Sequence, residues 1–263
     1  MLVSEHIARL RGEGGALAAA AASAGLGTPV PSCPEWVVRD LVRHQGGVHR
    51  WATGVVTGAL SEPWDVDLDE VVGRWPSDAG LLSWFADGHR RLVEALEEAD
   101  PDLSCWTFLA APSPLAMWAR RQAHETTVHR VDAELAAGGP VGSVPAPFAA
   151  DGVDELLACF LTRSGGSVRA DPPRTLLVGC SDTPGRWLVR IGPDGVATTG
   201  VAGVPGADTD APRVEDTDCQ VSGEASALYL TLWGRPGATD PPTVTGDRRV
   251  LDAFVDDVDI RWS

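Results

Sequence analysis

Lysine is missing from all 263 residues: the 21 basic side chains are all arginine, set against 37 acidic ones. The formal charge of −16 repels nucleic-acid phosphates and anionic membrane headgroups, so neither is an expected partner. Long apolar runs are missing as well; none approaches the ~20 residues that span a bilayer. The opening "MLVSEHIARLRGEGG" does not have the basic-then-apolar order of a secretory signal, and the expected location is the cytoplasm. Paired cysteines are a further absence. Cys33, Cys105, Cys159, Cys180 and Cys219 are scattered, odd in number and without a CxxC pair, which argues against a disulfide framework or a thiolate zinc site. Four of them read as small apolar packing residues. Cys33 stands apart, because a position at a helix start would lower its thiol pKa.

What remains is an ordinary globular composition, 44% hydrophobic and 22% charged, in two halves of different texture. Up to about residue 140 the apolar residues recur at helical spacing, which predicts helices at roughly 4–25, 34–56, 78–99 and 114–137. Pro34 suits a first helical turn with Ser32 or Cys33 as cap. Ser113 and Pro114 open the fourth helix in the same way, and Gly138 suits its left-handed close. Four such helices predict a bundle over residues 1–140. The stretch "GGPVGSVPAP" (138–147) reads as a linker. Beyond it, over 148–263, a helix at 151–164 is followed by strands at "TLLVGC", "WLVRIG" and "VATTGV", the last two joined by the "GPDG" turn. A loop at 201–218, a strand "CQVSG", a helix "EASALYLTLWG", a strand "TVTGD", a helix "RRVLDAFVDDV" and a terminal "DIRWS" complete a small α+β domain. No internal repeat is apparent.

The chemistry concentrates in "RRQAHETTVHR" (120–130). It resembles the HExxH of zinc proteases, but His124 and His129 are five apart, about 140° around a helix, and cannot easily grip one ion. Glu125 and His129 are four apart and share a face. The stripe Trp118, Gln122, Glu125, His129 and Asp132 should point into a bundle, and buried carboxylates demand a partner or a metal. Met117, Val128, Val131 and Leu135 supply neighbouring apolar packing; His124 falls on their side and reads as structural or as a support behind the ligands. A third ligand must come from another helix. His44, on a stripe with Val37, Leu41, Val48 and Trp51, and His89, between Phe85 and Leu92, both offer one, while His49 faces elsewhere. Two histidines and one carboxylate would leave open positions, as a catalytic divalent metal requires, zinc being the first expectation. Asp132, Gln122 or Arg121 would orient the ligands from behind.

"VPSCPEWVVRDLVRHQGGVHRWA" (30–52) and "RRQAHETTVHRVDAE" (120–134) resemble the two signatures of the mycothiol-dependent maleylpyruvate isomerase family. "GEASALYLTLWGR" (223–235) and "VTGDRRVLDAF" (244–254) resemble its closing motifs. The resemblance implies a DinB-like four-helix metal domain followed by a small α+β domain of sterol-carrier-protein type. It implies His44, Glu125 and His129 as metal ligands, favouring His44 over His89, and an arginine of the C-terminal domain at the cleft, for which Arg235 is the candidate. It further implies mycothiol as thiol cosubstrate and a small electrophilic substrate, in either cis/trans isomerisation of a maleylpyruvate-like double bond or S-transfer. The protein is expected to be a monomer or weak homodimer. A thiol-independent metal hydrolase or lyase, and a non-catalytic small-molecule-binding protein, are the alternatives.

Overall fold

The structure, a computed structural model, describes residues 1–163, 167–200, 217–235 and 240–257. The chain divides into two compact units, Met1–Gly142 and Ser143–Ser263.

In the first unit four long helices, α1 (Val3–Ala24), α2 (Val38–Thr57), α4 (Asp78–Glu98) and α5 (Pro114–Ala137), are joined by short elements. These are the strands β1 (Pro29–Val30) and β2 (Cys33–Val37) and the short helix α3 (Leu68–Val72). Helix α1 packs on α5 and α4, and α2 packs on α4 and α5, so the bundle closes in the cyclic order α1, α5, α2, α4. Leu17, Val30, Leu41, Leu81 and Phe85 meet in its core. Terminal signals set α5 as expected: Ser113 Oγ accepts from the Ala116 N–H at 3.2 Å, and Gly138 closes the helix in the left-handed region at φ 70°.

Helix α2 departs from expectation. It begins at Val38 rather than at residue 34, and Asp40 draws in the Val37 N–H at 3.0 Å. Pro34 and Cys33 belong to β2, which pairs antiparallel with β1. Cys33 is therefore a half-buried strand residue and not at a helix start, and Ser32 caps no helix. The physical reason is the hairpin: pairing with β1 satisfies backbone groups that a first helical turn would leave without partners.

Helix α5 is buried at nearly every position from Leu115 to Ala133, Arg121 and Arg130 included. Arg130 donates to Glu13 of α1 at 2.7 Å and to Glu134 at 2.6 Å. The buried Arg130 charge is therefore paired both across the bundle and along its own helix, as the low dielectric requires.

The second unit opens with α6 (Ala146–Asp154), which passes directly into a π-helical segment, Glu155–Phe160. The helix expected at 151–164 thus starts earlier and loosens half way. Among the described residues five strands follow: β3 (Arg174–Cys180), β4 (Arg186–Gly192), β5 (Gly195–Gly200), β6 (Cys219–Gly223) and β7 (Thr243–Gly246). Their sheet order is β5-β4-β3-β6-β7, with only the β3–β6 pair parallel. Helix α7 (Ala225–Leu232) packs on α6, and α8 (Arg248–Asp257) on β3 and β6. Indole donors tie the first helical stretch down: Trp187 to Asp154 Oδ1 at 2.9 Å and Trp233 to Gly152 O at 3.2 Å. The architecture is the expected helical bundle followed by a small α+β domain. Most of the expected loop at 201–218, and the terminal "DIRWS", lie outside the described residues. Among the described residues no helix is long and apolar enough to cross a membrane.

Candidate metal centre

Adjacent helices α2 and α5 bring His44, Glu125 and His129 together, with one ligand-type atom from each lying within 4.8 Å of the others. Both imidazoles turn Nε2 toward the same carboxylate oxygen. Glu125 Oε1 lies 3.2 Å from His129 Nε2 and 3.4 Å from His44 Nε2. The other carboxylate oxygen accepts from Arg121 Nη2 at 3.1 Å. The far side of His129 is fixed too, because Nδ1 lies 2.8 Å from Asp132 Oδ2. An Nδ1–H donated to Asp132 makes Nε2 the nitrogen that faces the centre, where it donates to Glu125 in the metal-free protein and would offer its lone pair to a metal that displaced that proton. Of the three residues expected to orient the ligands, Asp132 and Arg121 touch one each. Gln122 hydrogen-bonds to none of the three; it is fully buried, and its amide has no hydrogen-bond partner among the described residues.

Burial and charge explain the protonation states. Burial alone would raise the Glu125 pKa, but the charge of His129, hydrogen bonds from His129 and His44, and Arg121 reverse this and hold it well below the carboxylate range. Burial would likewise lower the His129 pKa, yet Glu125 and Asp132 overcome it and lift it to about 9. Two buried carboxylates thus draw positive charge to this point, and a proton on His129 supplies it in the metal-free protein.

The remaining histidines sort differently. His89 is a core residue whose Nε2 bonds Leu10 O at 2.9 Å, with Phe85 stacked beside it. His49 is fully buried, with Nε2 2.9 Å from both Gln45 Nε2 and Thr126 Oγ1. Burial, then neighbouring His89, press its pKa well down, so it stays neutral. His124 is buried with its ring against His6 at 6.0 Å. Arg235 follows α7, and its Nη1 donates to Trp233 O at 2.6 Å.

Sequence reasoning missed two contributors, both on the β1–β2 hairpin. Trp36 lies against the rings of His44 and His129, with centroids 4.9 Å and 6.2 Å away. Ser32 donates its hydroxyl to Asp132 Oδ1. The only available signal was that both precede the His44 helix within one short signature.

Fold and site together define a class: a four-helix bundle presenting two histidines and a glutamate, followed by a small α+β domain. The family model described as "Mycothiol maleylpyruvate isomerase N-terminal domain" matches residues 7–134, and the "MDMPI C-terminal domain" model matches 147–253. The chain belongs to the mycothiol-dependent maleylpyruvate isomerase family. Two crystal structures of a mycothiol-dependent maleylpyruvate isomerase, one of the enzyme and one of a histidine-to-alanine mutant, have the same fold. Their TM-scores are 0.60 and 0.59, at 15% identity over 93% of each chain. No curated protein sequence matches the chain.

Proposed function

We propose that the protein is a metal-dependent, mycothiol-using enzyme that isomerises an activated cis double bond of maleylpyruvate type or transfers mycothiol to an electrophile. The observation that carries this reading is the convergence of His44 Nε2, His129 Nε2 and Glu125 Oε1, within a chain of this family. The donor set fits a divalent metal of borderline softness, zinc first: two imidazole nitrogens, one carboxylate oxygen, and a carboxylate behind one imidazole. His44, Glu125 and His129 would hold the ion. Once bound, a divalent metal stabilises the thiolate of a thiol substrate, its nucleophilic form, at neutral pH.

The chain's own residues prepare that chemistry. Asp132 keeps the proton on His129 Nδ1, and Arg121 neutralises the outer oxygen of Glu125, so neither ligand needs to rearrange. In the isomerisation the thiolate sulfur adds to one alkene carbon and the electron pair moves onto the activating carbonyl. Rotation about the resulting single bond precedes collapse of that pair and expulsion of the thiolate, leaving the trans isomer. In S-transfer the carbon–sulfur bond is retained. Arg235 is proposed to hold a carboxylate or mycothiol anion, since a guanidinium offers a planar two-pronged donor; Arg235→Ala should then raise KM with little change in stability.

The test is metal analysis of purified protein by mass spectrometry, with isothermal titration of mycothiol. One divalent metal per chain is expected, lost in His44→Ala and His129→Ala, with mycothiol binding only to the loaded wild type. Wild-type protein that neither carries nor takes up metal would sink the proposal. Metal without mycothiol binding would favour the thiol-independent hydrolase or lyase.

A further inference from the structure

We infer that Ser32, at the tip of the β1–β2 hairpin, is a positioning residue for the metal centre, acting through Asp132 on His129. The inference rests on the metal-centre reading above. It starts from the hydrogen bonds of Asp132, a fully buried carboxylate. Its Oδ2 takes the Nδ1 proton of His129 at 2.8 Å, and its Oδ1 takes the Ser32 hydroxyl. The terminal torsion of an aspartate is broad and roughly two-fold, so a bond to one oxygen constrains the carboxylate plane less than bonds to both. A second bond, to the other oxygen, fixes the plane and with it the direction in which Nε2 of His129 points. A carboxylate behind a ligand imidazole also raises the basicity of that imidazole, an effect that depends on the same alignment.

The hairpin is seated to keep Ser32 in place. Only Pro31 and Ser32 separate β1 from β2, so Ser32 must lie at the turn. Val30 is buried in the bundle core and Cys33 packs against it. At the other end, Val38 N–H donates to Thr28 O and Arg39 N–H to Leu26 O, each at 2.9 Å. Trp36, on the same hairpin, lies against both ligand rings. One short segment thus touches the centre at His44, at His129 and at Asp132. Ser32 and Asp132 are a hundred positions apart, so the contact exists only in the folded bundle.

The experiment measures zinc affinity by chelator competition in full-length protein, with the melting temperature of the metal-free form read alongside. Asp132→Asn should weaken zinc binding by about 10–100-fold, the usual effect of losing a partner behind a ligand histidine. Ser32→Ala should weaken it by roughly 5–10-fold, a fraction of that effect, and Ser32→Thr, which keeps the hydroxyl, should restore it. Glu35→Gln, an exposed change on the same hairpin, should leave it unaltered. The double variant Ser32→Ala/Asp132→Asn should bind no more weakly than Asp132→Asn alone, because Ser32 acts only through Asp132. A Ser32→Ala protein with wild-type affinity overturns the inference, as does an effect that adds in full to that of Asp132→Asn. Loss of melting temperature at unchanged affinity also overturns it, by showing a merely structural role. A wild-type protein that binds no zinc ends the metal-centre reading as well, whereas wild-type binding with an unaffected Ser32→Ala ends this inference alone.

Discussion

Replacing Glu125 by glutamine keeps the shape of the side chain and removes its charge. In the metal-free protein that charge faces Arg121 at 3.1 Å and His129 at 3.2 Å. The Arg121 side chain is 0% exposed and that of Glu125 5%, so water cannot replace the lost partner. Breaking a buried pair from one side typically costs about 3–5 kcal/mol. For a chain of this size that corresponds to a fall in melting temperature of roughly 10 °C. The pH dependence adds a second signature. The His129 pKa is raised above its ordinary 6.5 to about 9. The associated stabilisation is therefore complete below 6.5 and lost as pH climbs through about 9, in total on the order of 3 kcal/mol. The depressed Glu125 pKa describes the same ion pair from its other member: stability present above its ordinary 4.5 is lost as pH falls. Metal-free wild type should accordingly be most stable in mildly acidic solution and weaken toward pH 9. The glutamine variant should start lower and change less over that interval. Urea denaturation at pH 6 and pH 9, after chelation, checks both. A variant as stable as wild type at pH 6, with an undiminished loss at pH 9, would refute the electrostatic account.

Three further outcomes are expected. Gly14→Ala places a Cβ 2.3 Å from the His89 ring, which Leu10 O and Phe85 hold in place; despite the better helix propensity it should destabilise by about 1–2 kcal/mol in urea. Ser113→Ala deletes the cap of α5 and should lower stability by about 1 kcal/mol, with metal affinity retained if the cap is purely structural. In the second unit Asp218 accepts from both the N–H and hydroxyl of Thr175 at 2.7 Å. These bonds depress its pKa, so Asp218→Ala should destabilise by about 1 kcal/mol near neutral pH and progressively less as acid protonates the wild-type carboxylate.

The bundle was legible where its signals are local. The 114–137 helix could be read residue by residue because a serine cap, a first-turn proline and a closing glycine act through neighbouring backbone. The pairing of Glu125 with His129 followed from helical spacing, and the choice of His44 over His89 from family signatures. The start of α2 differs from expectation because "SCPEW" carries a genuine helix-entry pattern, and pairing with Pro29–Val30 across a two-residue turn makes it a strand instead. Ser32 reads as one of two candidate caps for the same reason, since nothing in sequence spacing announces a contact with Asp132. The π-helical stretch Glu155–Phe160 was equally illegible; its residues favour helix without specifying which carbonyl each N–H will find.

Helix α5 is at once the bearer of two candidate ligands and the most enclosed helix of its unit. Such a segment has almost no freedom to drift: a substitution that suits a new substrate must also fit a packed, charge-balanced interior. Diversification of chemistry in this scaffold therefore falls to segments that reach the centre from outside the packed helix. The β1–β2 hairpin is one, bringing an indole and a hydroxyl to the ligands on a turn of two residues. Exchanging hairpins between relatives, with α5 left untouched, is the natural route to shifting metal preference or reactivity without sacrificing the fold.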